Sequence, residues 1–402
     1  MKKILLIITA LCFCFSFSFK SQKLYENPYQ WKIPEGNYID PTSFFSLHGY
    51  VNAVFANESK EWTKGSMNGI GMPGQVLIPN TNNSSFQTDE AIWISSEISD
   101  KTSVMIELHL VTDPSGKGAS GPGGLTLVLT EANANFNLYK SYINVAMGTF
   151  WNPFGIHNND WLGAQNLFST IPYASACYPA HYNEKGIRID GFFGKKEKIG
   201  LNYVFSLGNG YNSFDISGYG GTDNNNNKTF SGRVSIFPYL EENLNIGVSY
   251  TNGLLHKGNS SLSDSSSMYY DNSFESIGAD IKLKIKKIEL RSYTIHTKRS
   301  YISKTSNYST LNIGYMAELS YKIDIPKIKR IESLVPKIRY DHGNLGLFNK
   351  EQNENETFTS TSFGFNVYLN NHFYFSSDYN ILLESKESID NNRIVVRATA
   401  NF

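Results

Sequence analysis

From about Phe44 to the closing Phe402, apolar and polar residues change places at every step, in one segment after another. A period of two sends successive side chains to opposite faces of an extended strand, so each segment has two chemically different sides. Leu311, Ile313, Tyr315, Ala317, Leu319 and Tyr321 share one face, with Asn312, Gly314, Glu318, Ser320 and Lys322 between them. Ile277, Ala279, Ile281 and Leu283 alternate with Ser276, Asp280 and Lys282, and Phe363, Phe365 and Val367 with Ser362, Gly364 and Asn366. Such segments cover 46–56, 90–99, 103–111, 126–138, 141–150, 186–193, 199–207, 229–239, 244–252, 274–284, 287–297, 311–324, 333–341, 360–369, 373–384 and 391–402. They number about sixteen, each of about ten residues, the length that crosses a bilayer when tilted.

The connections sort by length. One set is short and charged, with Lys195, Lys196, Lys198, Lys327 and Lys329 among its residues. The other is long and rich in Gly, Asn and Ser, over 57–87, 112–124, 152–183, 208–228, 253–272, 298–310 and 342–357. Short turns at one end and long loops at the other belong to a closed barrel, and so many long strands in an open sandwich would leave edges to protect. The expected fold class is all-β: a transmembrane antiparallel β-barrel of about 16 strands. The last segment sets Phe402, Ala400, Ala398, Val396 and Ile394 on one face and Asn401, Thr399, Arg397 and Arg393 on the other. It must pair with the first, "SLHGYVNAVF", because unpaired backbone groups in lipid are costly. Phe402 then falls in the aromatic girdle at the short-turn rim.

The opening "MKKILLIITALCFCFSFSFKSQ" has a basic end at Lys2 and Lys3, an apolar run over 4–19 and a polar exit, the three parts of a secretory signal. The run is shorter than the ~20 residues of a spanning helix. The domain reading is a signal peptide over 1–21, a short periplasmic segment over 22–43, and a barrel over 44–402 with a constriction loop at 152–183. Export to the bacterial outer membrane follows. Cys12 and Cys14 leave with the signal, so Cys177 stands alone, without a disulfide or a multi-thiolate zinc site. No cofactor is expected, and a formal net charge of zero points away from nucleic acid.

"VAMGTFWNPFGIHNNDW" (145–161) resembles the strand-to-loop segment of bacterial outer-membrane porins of the phosphate-selective O and P type, where G-x-x-x-x-P-F-G leads into the constriction loop. "LHGYVNAVF" and "KIRYDHG" are similar to that family's first strand and a late strand, and a terminal strand ending in Phe resembles the signal by which outer-membrane barrels are recognised for insertion. The resemblance covers most of the mature chain. It implies a water-filled channel for small hydrophilic or anionic solutes, with outer-membrane lipids and the barrel-assembly machinery as partners and a homotrimer as assembly. The family's phosphate binders line the channel with basic residues, whereas 151–186 contains no Arg and only one Lys, Lys185. Phosphate selectivity is therefore not carried over.

The 152–183 loop follows the fifth strand. Trp151, Phe154, Ile156, Trp161, Leu162, Leu167, Phe168, Ile171 and Tyr173 make it too apolar for a free outer loop, so it is expected to pack on the inner wall. Asn158, Asn159, Asp160, Gln165 and His181 would face the opening, with Lys185 at the exit. The arginines fall on strands in phase with the lumen: Arg188, Arg233, Arg291, Arg339, Arg393 and Arg397. Glu97, Glu107, Glu131, Asp190, Asp280, Glu318, Asp378 and Glu384 share that phase, so mutual pairing is the alternative to an open cationic lining. Arg339 and Arg397 are expected across from the loop, whose only acids are Asp160 and Glu184, giving a weak anion preference. "TDNNNNK" misses the Gly and Glu of a calcium loop, and "GKGASGPGG" lacks the Lys and helix of a phosphate cradle. His157, His181 and Asp160 read as hydrogen-bonding wall residues rather than metal ligands. No catalytic residue is expected: His48 and His109 fall in lumen phase, and no G-x-S-x-G occurs. The alternatives are a lipid-hydrolysing outer-membrane barrel enzyme and a non-conducting barrel in a secretion or adhesion machine.

Overall fold

A computed structural model of the chain describes residues 46–58, 85–112, 125–140, 142–156, 166–170, 172–177, 183–194, 199–210, 227–238, 244–257, 271–302, 307–326, 328, 330–346, 355–384 and 392–402. The signal peptide (1–21) and the 22–43 segment read from the sequence lie outside these residues. Antiparallel strands follow one another in chain order around a single sheet. They are β1 (Ser46–Glu58), β2 (Ser85–Ser99), β3 (Thr102–Thr112), β4 (Leu125–Tyr139), β5 (Ile143–Trp151) and β6 (Asn183–Phe193). Next come β7 (Gly200–Gly208), β8 (Thr229–Phe237), β9 (Leu244–Lys257), β10 (Asp271–Ile285), β11 (Ile288–Ile302) and β12 (Asn307–Tyr321). The series ends with β13 (Ile323–Asp324), β14 (Ser333–Gly346), β15 (Asn355–Tyr368), β16 (Phe373–Glu384) and β17 (Arg393–Asn401). The two-residue β13 continues β12 past Lys322, so sixteen staves make the wall.

Each strand expected from the sequence is present, and most run longer. The stretch 298–310, read as a long loop, is mostly strand: β11 and β12 stay paired from Lys298↔Leu311 to Ile302↔Asn307. Polar side chains dominate there, so the alternation fades while the backbone ladder continues. Part of 342–357 joins β14 and β15 in the same way, down to Gly346↔Asn355.

The first and last strands close the barrel. β1 pairs antiparallel with β17 from Tyr50↔Asn401 to Glu58↔Arg393. Gly49 and Phe402 then exchange backbone hydrogen bonds of 3.0 and 3.0 Å. The Phe402 ring lies over Gly49, where an added Cβ would sit within 2.9 Å of two ring carbons. No open edge remains between these strands, as backbone groups in lipid require.

The two faces differ as the pattern demands. Ser276, Asp280, Asn312, Glu318 and Ser362 are buried on the inside, while Ile277, Leu319, Ile338 and Phe363 stay exposed on the outside. The outward belt continues through Leu207, Val248, Leu311 and Leu383, far beyond the patches a water-facing surface carries. Exposed rings of Tyr139, Phe193, Tyr321 and Phe402 mark the short-turn rim, where aromatic side chains suit a membrane interface. One irregularity re-aims a strand. Glu107 pairs with Glu131 but Leu108 with Leu129, which leaves Thr130 as an extra residue in β4. Before it Leu127 and Leu129 point outward; after it Glu131 and Asn133 are buried inside. A one-residue slip reverses every later side chain.

Candidate functional site

The connection from β5 to β6 turns into the barrel, and each of its described parts has a seat on the wall. At the stem, Trp151 donates through Nε1 to Glu107 Oε2 at 2.9 Å and through its backbone N–H to Glu131 Oε1 at 3.1 Å. His109 Nε2 meets the other oxygen of Glu107 at 2.6 Å. Asn152 donates to Ser231 Oγ at 2.6 Å, and the Gly155 N–H to Ser249 Oγ at 2.9 Å. The Phe154 ring lies over Gly278 of β10, where a Cβ would come within 2.9 Å of it.

Beyond 157–165, which lie outside the described residues, the chain lies against β12–β17. Its backbone cannot satisfy itself there, so wall side chains supply the partners. Arg397 Nη2 donates to Asn166 O at 3.0 Å, Lys337 Nζ to Leu167 O at 2.7 Å, and Arg339 Nη1 to Thr170 O at 2.7 Å. Arg339 Nη2 donates to Thr170 Oγ1, also at 2.7 Å. In the opposite sense, the Ser169 N–H donates to Asp378 Oδ2 at 2.6 Å and the Ala174 N–H to Asp341 Oδ1 at 3.2 Å. The Phe168 ring is fully buried, with Lys337 Nζ 4.7 Å and Arg339 Cζ 4.6 Å from its centroid. Both cations lie within the range of a ring-face attraction.

A short 3-10 helix, Tyr173–Cys177, ends this run. Cys177 is buried, and its Sγ donates to Ile313 O at 3.1 Å. Burial pushes its thiol up to about 12. Two lumen-phase glycines make the notch that receives the helix. A Cβ on Gly314 would collide with Ala174 O, and one on Gly343 would collide with the Phe358 ring and meet Cys177 Sγ at 3.2 Å. Gly278, Gly314 and Gly343 are functional positions that sequence reasoning passed over. Their signal was glycine on the polar face of a strand, with Gly314 and Gly343 directly opposite each other.

The packing of Trp151, Phe154, Ile156 and Phe168 on the inner wall agrees with expectation, each being buried. Asn158, Asn159, Asp160, Gln165 and His181, assigned to the opening, lie outside the described residues, as do Trp161, Leu162 and Ile171. All six lumen arginines are on the inner face, but two expectations about them are corrected. Arg339 and Arg397 do not stand across from the loop; they hold its carbonyls. Nor do the others form an open cationic lining. Arg233 is bonded to Asp280 at 2.9 Å, Arg291 to Glu289 at 2.7 Å and Arg188 to Asp190 at 3.2 Å. Arg339 also lies 3.4 Å from Glu318, and Lys337 2.6 Å from Asp378. Arg393 is buried at the top of β17. Lys185 is a third correction. β6 already begins at Asn183, so Lys185 falls in phase with the exposed Ile187 and Ile189 and points outward. Glu184 is fully buried and accepts the Gly210 N–H at 2.8 Å. Among the described residues no group of His, Cys, Asp and Glu is arranged to hold a metal ion.

No family model and no curated protein matches the chain. Solved structures do. The chain is similar to the outer membrane channel DcaP of Acinetobacter baumannii, with TM-score 0.56 and 11% identity, over 89% of this chain and 97% of that one. It is similar to an anion-selective porin from Comamonas acidovorans, with TM-score 0.56 and 10% identity, over 89% and 99%. Salmonella typhi OmpF, in complex with Daunomycin, aligns with TM-score 0.55 and 12% identity, over 89% and 97%. At such identities the likeness is one of fold: the chain is a closed, sixteen-stranded antiparallel β-barrel of outer-membrane porin architecture.

Proposed function

We propose that this protein is an outer-membrane porin, a water-filled channel through which small hydrophilic solutes diffuse. One observation carries the proposal: the β5–β6 connection is held inside the barrel at both halves, by Trp151 at its stem and by Arg339 and Arg397 farther on. A segment fixed across a polar lumen narrows a passage. Support also comes from solved barrels of this architecture described as a channel and a porin. The short-turn rim is then periplasmic, the long loops face outward, the 1–21 signal directs export, and a homotrimer remains part of the same proposal. Phosphate selectivity and the weak anion preference drawn from Arg339 and Arg397 are left out of it, since both arginines are spent on the loop. The lipid-hydrolase alternative has one observation in its favour. His342 Nδ1 lies 2.9 Å from Thr359 Oγ1, on the outward phase shared with the exposed Tyr340. A hydroxyl bonded to imidazole is half of a nucleophile pair, but one without an orienting group is an ordinary polar contact.

The test is current through single molecules in a planar bilayer. Gly314→Val puts a branched side chain where Ala174 O already sits against the Cβ position, so it should lift the helix and raise the conductance step. A folded barrel that passes no current, or hydrolyses phospholipid, overturns the proposal.

A further inference from the structure

The lumen arginines divide by wetness. The Arg233 and Arg339 side chains are 2% and 0% exposed, whereas Arg188 and Asp190 keep 17% and 16% of their surface and Arg291 and Glu289 15% and 25%. The Arg188–Asp190 pair stands on β6 with a run of asparagines beside it, as the register across β4, β5 and β6 shows. Asn137 pairs with Asn144, which pairs with Asp190; Asn135 pairs with Ala146, which pairs with Arg188. Asn133 completes the column on β4, facing inward because of the extra residue at Thr130. The result is a polar strip bonded in two groups, one on β4 and one across β5 and β6. Asn135 Nδ2 donates to Asn133 Oδ1 at 2.7 Å, Asn144 Nδ2 to Asp190 Oδ2 at 3.3 Å, and Arg188 Nε to Asp190 Oδ1 at 3.2 Å.

We infer that this strip is the solute-facing surface of the channel and that it favours uncharged polyhydroxyl solutes, sugar-like in chemistry, over anions of the same size. The inference rests on the porin reading and adds the solute class. An amide offers donors and acceptors together without charge, and the planar guanidinium beside a carboxylate does the same across two groups. A hydroxylated solute moving along it exchanges hydrogen bonds with water for equivalent ones with the wall. An anion finds no net charge, because Arg188 is matched by Asp190. Among the described residues, the connection beyond Trp151 is seated on β8–β10 and β12–β17, while Trp151 itself reaches Glu107 of β3 and Glu131 of β4 at the long-loop end of this sector.

The experiment compares the swelling of proteoliposomes in a neutral monosaccharide and in its carboxylate of equal size, alongside the reversal potential in a potassium chloride gradient. The unaltered protein should admit the sugar faster. Asn135→Leu with Asn137→Leu should slow sugar entry by about threefold or more, the value of roughly one lost hydrogen bond, and leave chloride current nearly unchanged. Asp190→Asn, which strips Arg188 of its counter-charge, should move the reversal potential toward anions. If the double variant does not assemble, Asn137→Ser replaces it and should slow the sugar to a smaller degree. Equal entry of sugar and carboxylate into liposomes of the unaltered protein sinks the inference, as does a double variant that slows both alike. Absence of any chloride current from the unaltered protein sinks the porin reading instead.

Discussion

Replacing Arg339 by Met tests whether wall charges hold the inward connection. The side chain is fully buried, makes two 2.7 Å bonds to Thr170 and lies 3.4 Å from Glu318 and 3.5 Å from Asp341. Methionine keeps much of the volume but returns none of the bonds. A hydrogen bond to a charged group contributes about 1.5–3 kcal/mol, so the second half of the loop should lose about 3–6 kcal/mol of seating energy. Even the lower value raises the unseated fraction more than a hundredfold, at about 1.4 kcal/mol per decade. Cys177 reports it, in a chain whose Cys12 and Cys14 are replaced by Ser. The seated thiol is buried and its pKa is raised to about 12, so only about one molecule in ten thousand is thiolate at pH 8. Maleimide labelling of the parent should therefore be slow and should climb about tenfold per pH unit up to about 12. A released thiol has its ordinary pKa, so labelling of Arg339→Met should be at least a hundredfold faster at pH 8 and flatten above about pH 9. The barrel itself is checked by heat-modifiable migration. A folded Arg339→Met protein that labels like its parent, with the same slope against pH, refutes Arg339 as an anchor.

Gly49→Val should impair closure, since its side chain would collide with the Phe402 ring and with Ala91 O, 2.8 Å from the Cβ position. Less folded barrel is expected by electrophoretic mobility; a normal yield from Gly49→Val counts against the packing of that seam. Ile338→Lys, midway along β14 on the exposed face, should cost about 2–4 kcal/mol in urea unfolding from vesicles if that face meets lipid near the midplane. An unchanged midpoint would show that the outer face is not a lipid face there.

The wall was legible because its signal is local and repeated. A residue's parity names its face, and sixteen strands each supply several votes. Parity does not say what lies above the face. Arg339 and Arg188 have the same phase, yet one is covered by Thr170 and the other stays partly wet. That difference is set by a connection whose path depends on contacts with strands far away in sequence, such as Trp151 with Glu107 or Ser169 with Asp378. Lys185 went wrong for a simpler reason: with the strand start placed at Gly186 it counted as loop, and moving the start to Asn183 assigns it the outward phase. The glycine notches at Gly314 and Gly343 were readable as oddities, but not as a seat until the helix at 173–177 filled them.

The seam between β1 and β17 also dictates an order of events. Tyr50 pairs with Asn401, so the contact that completes the sheet joins residues from opposite ends of the chain. A chain whose β17 has not yet been made cannot close. For a flexible chain of that span, bringing the ends together costs about 5 kcal/mol of entropy, apart from a constant. Until then β1 presents a long unpaired edge, the kind of template on which chains aggregate. Such a protein needs to be kept apart from its own copies until β17 is in place, and the β1–β17 seam sets the moment at which that protection can be withdrawn.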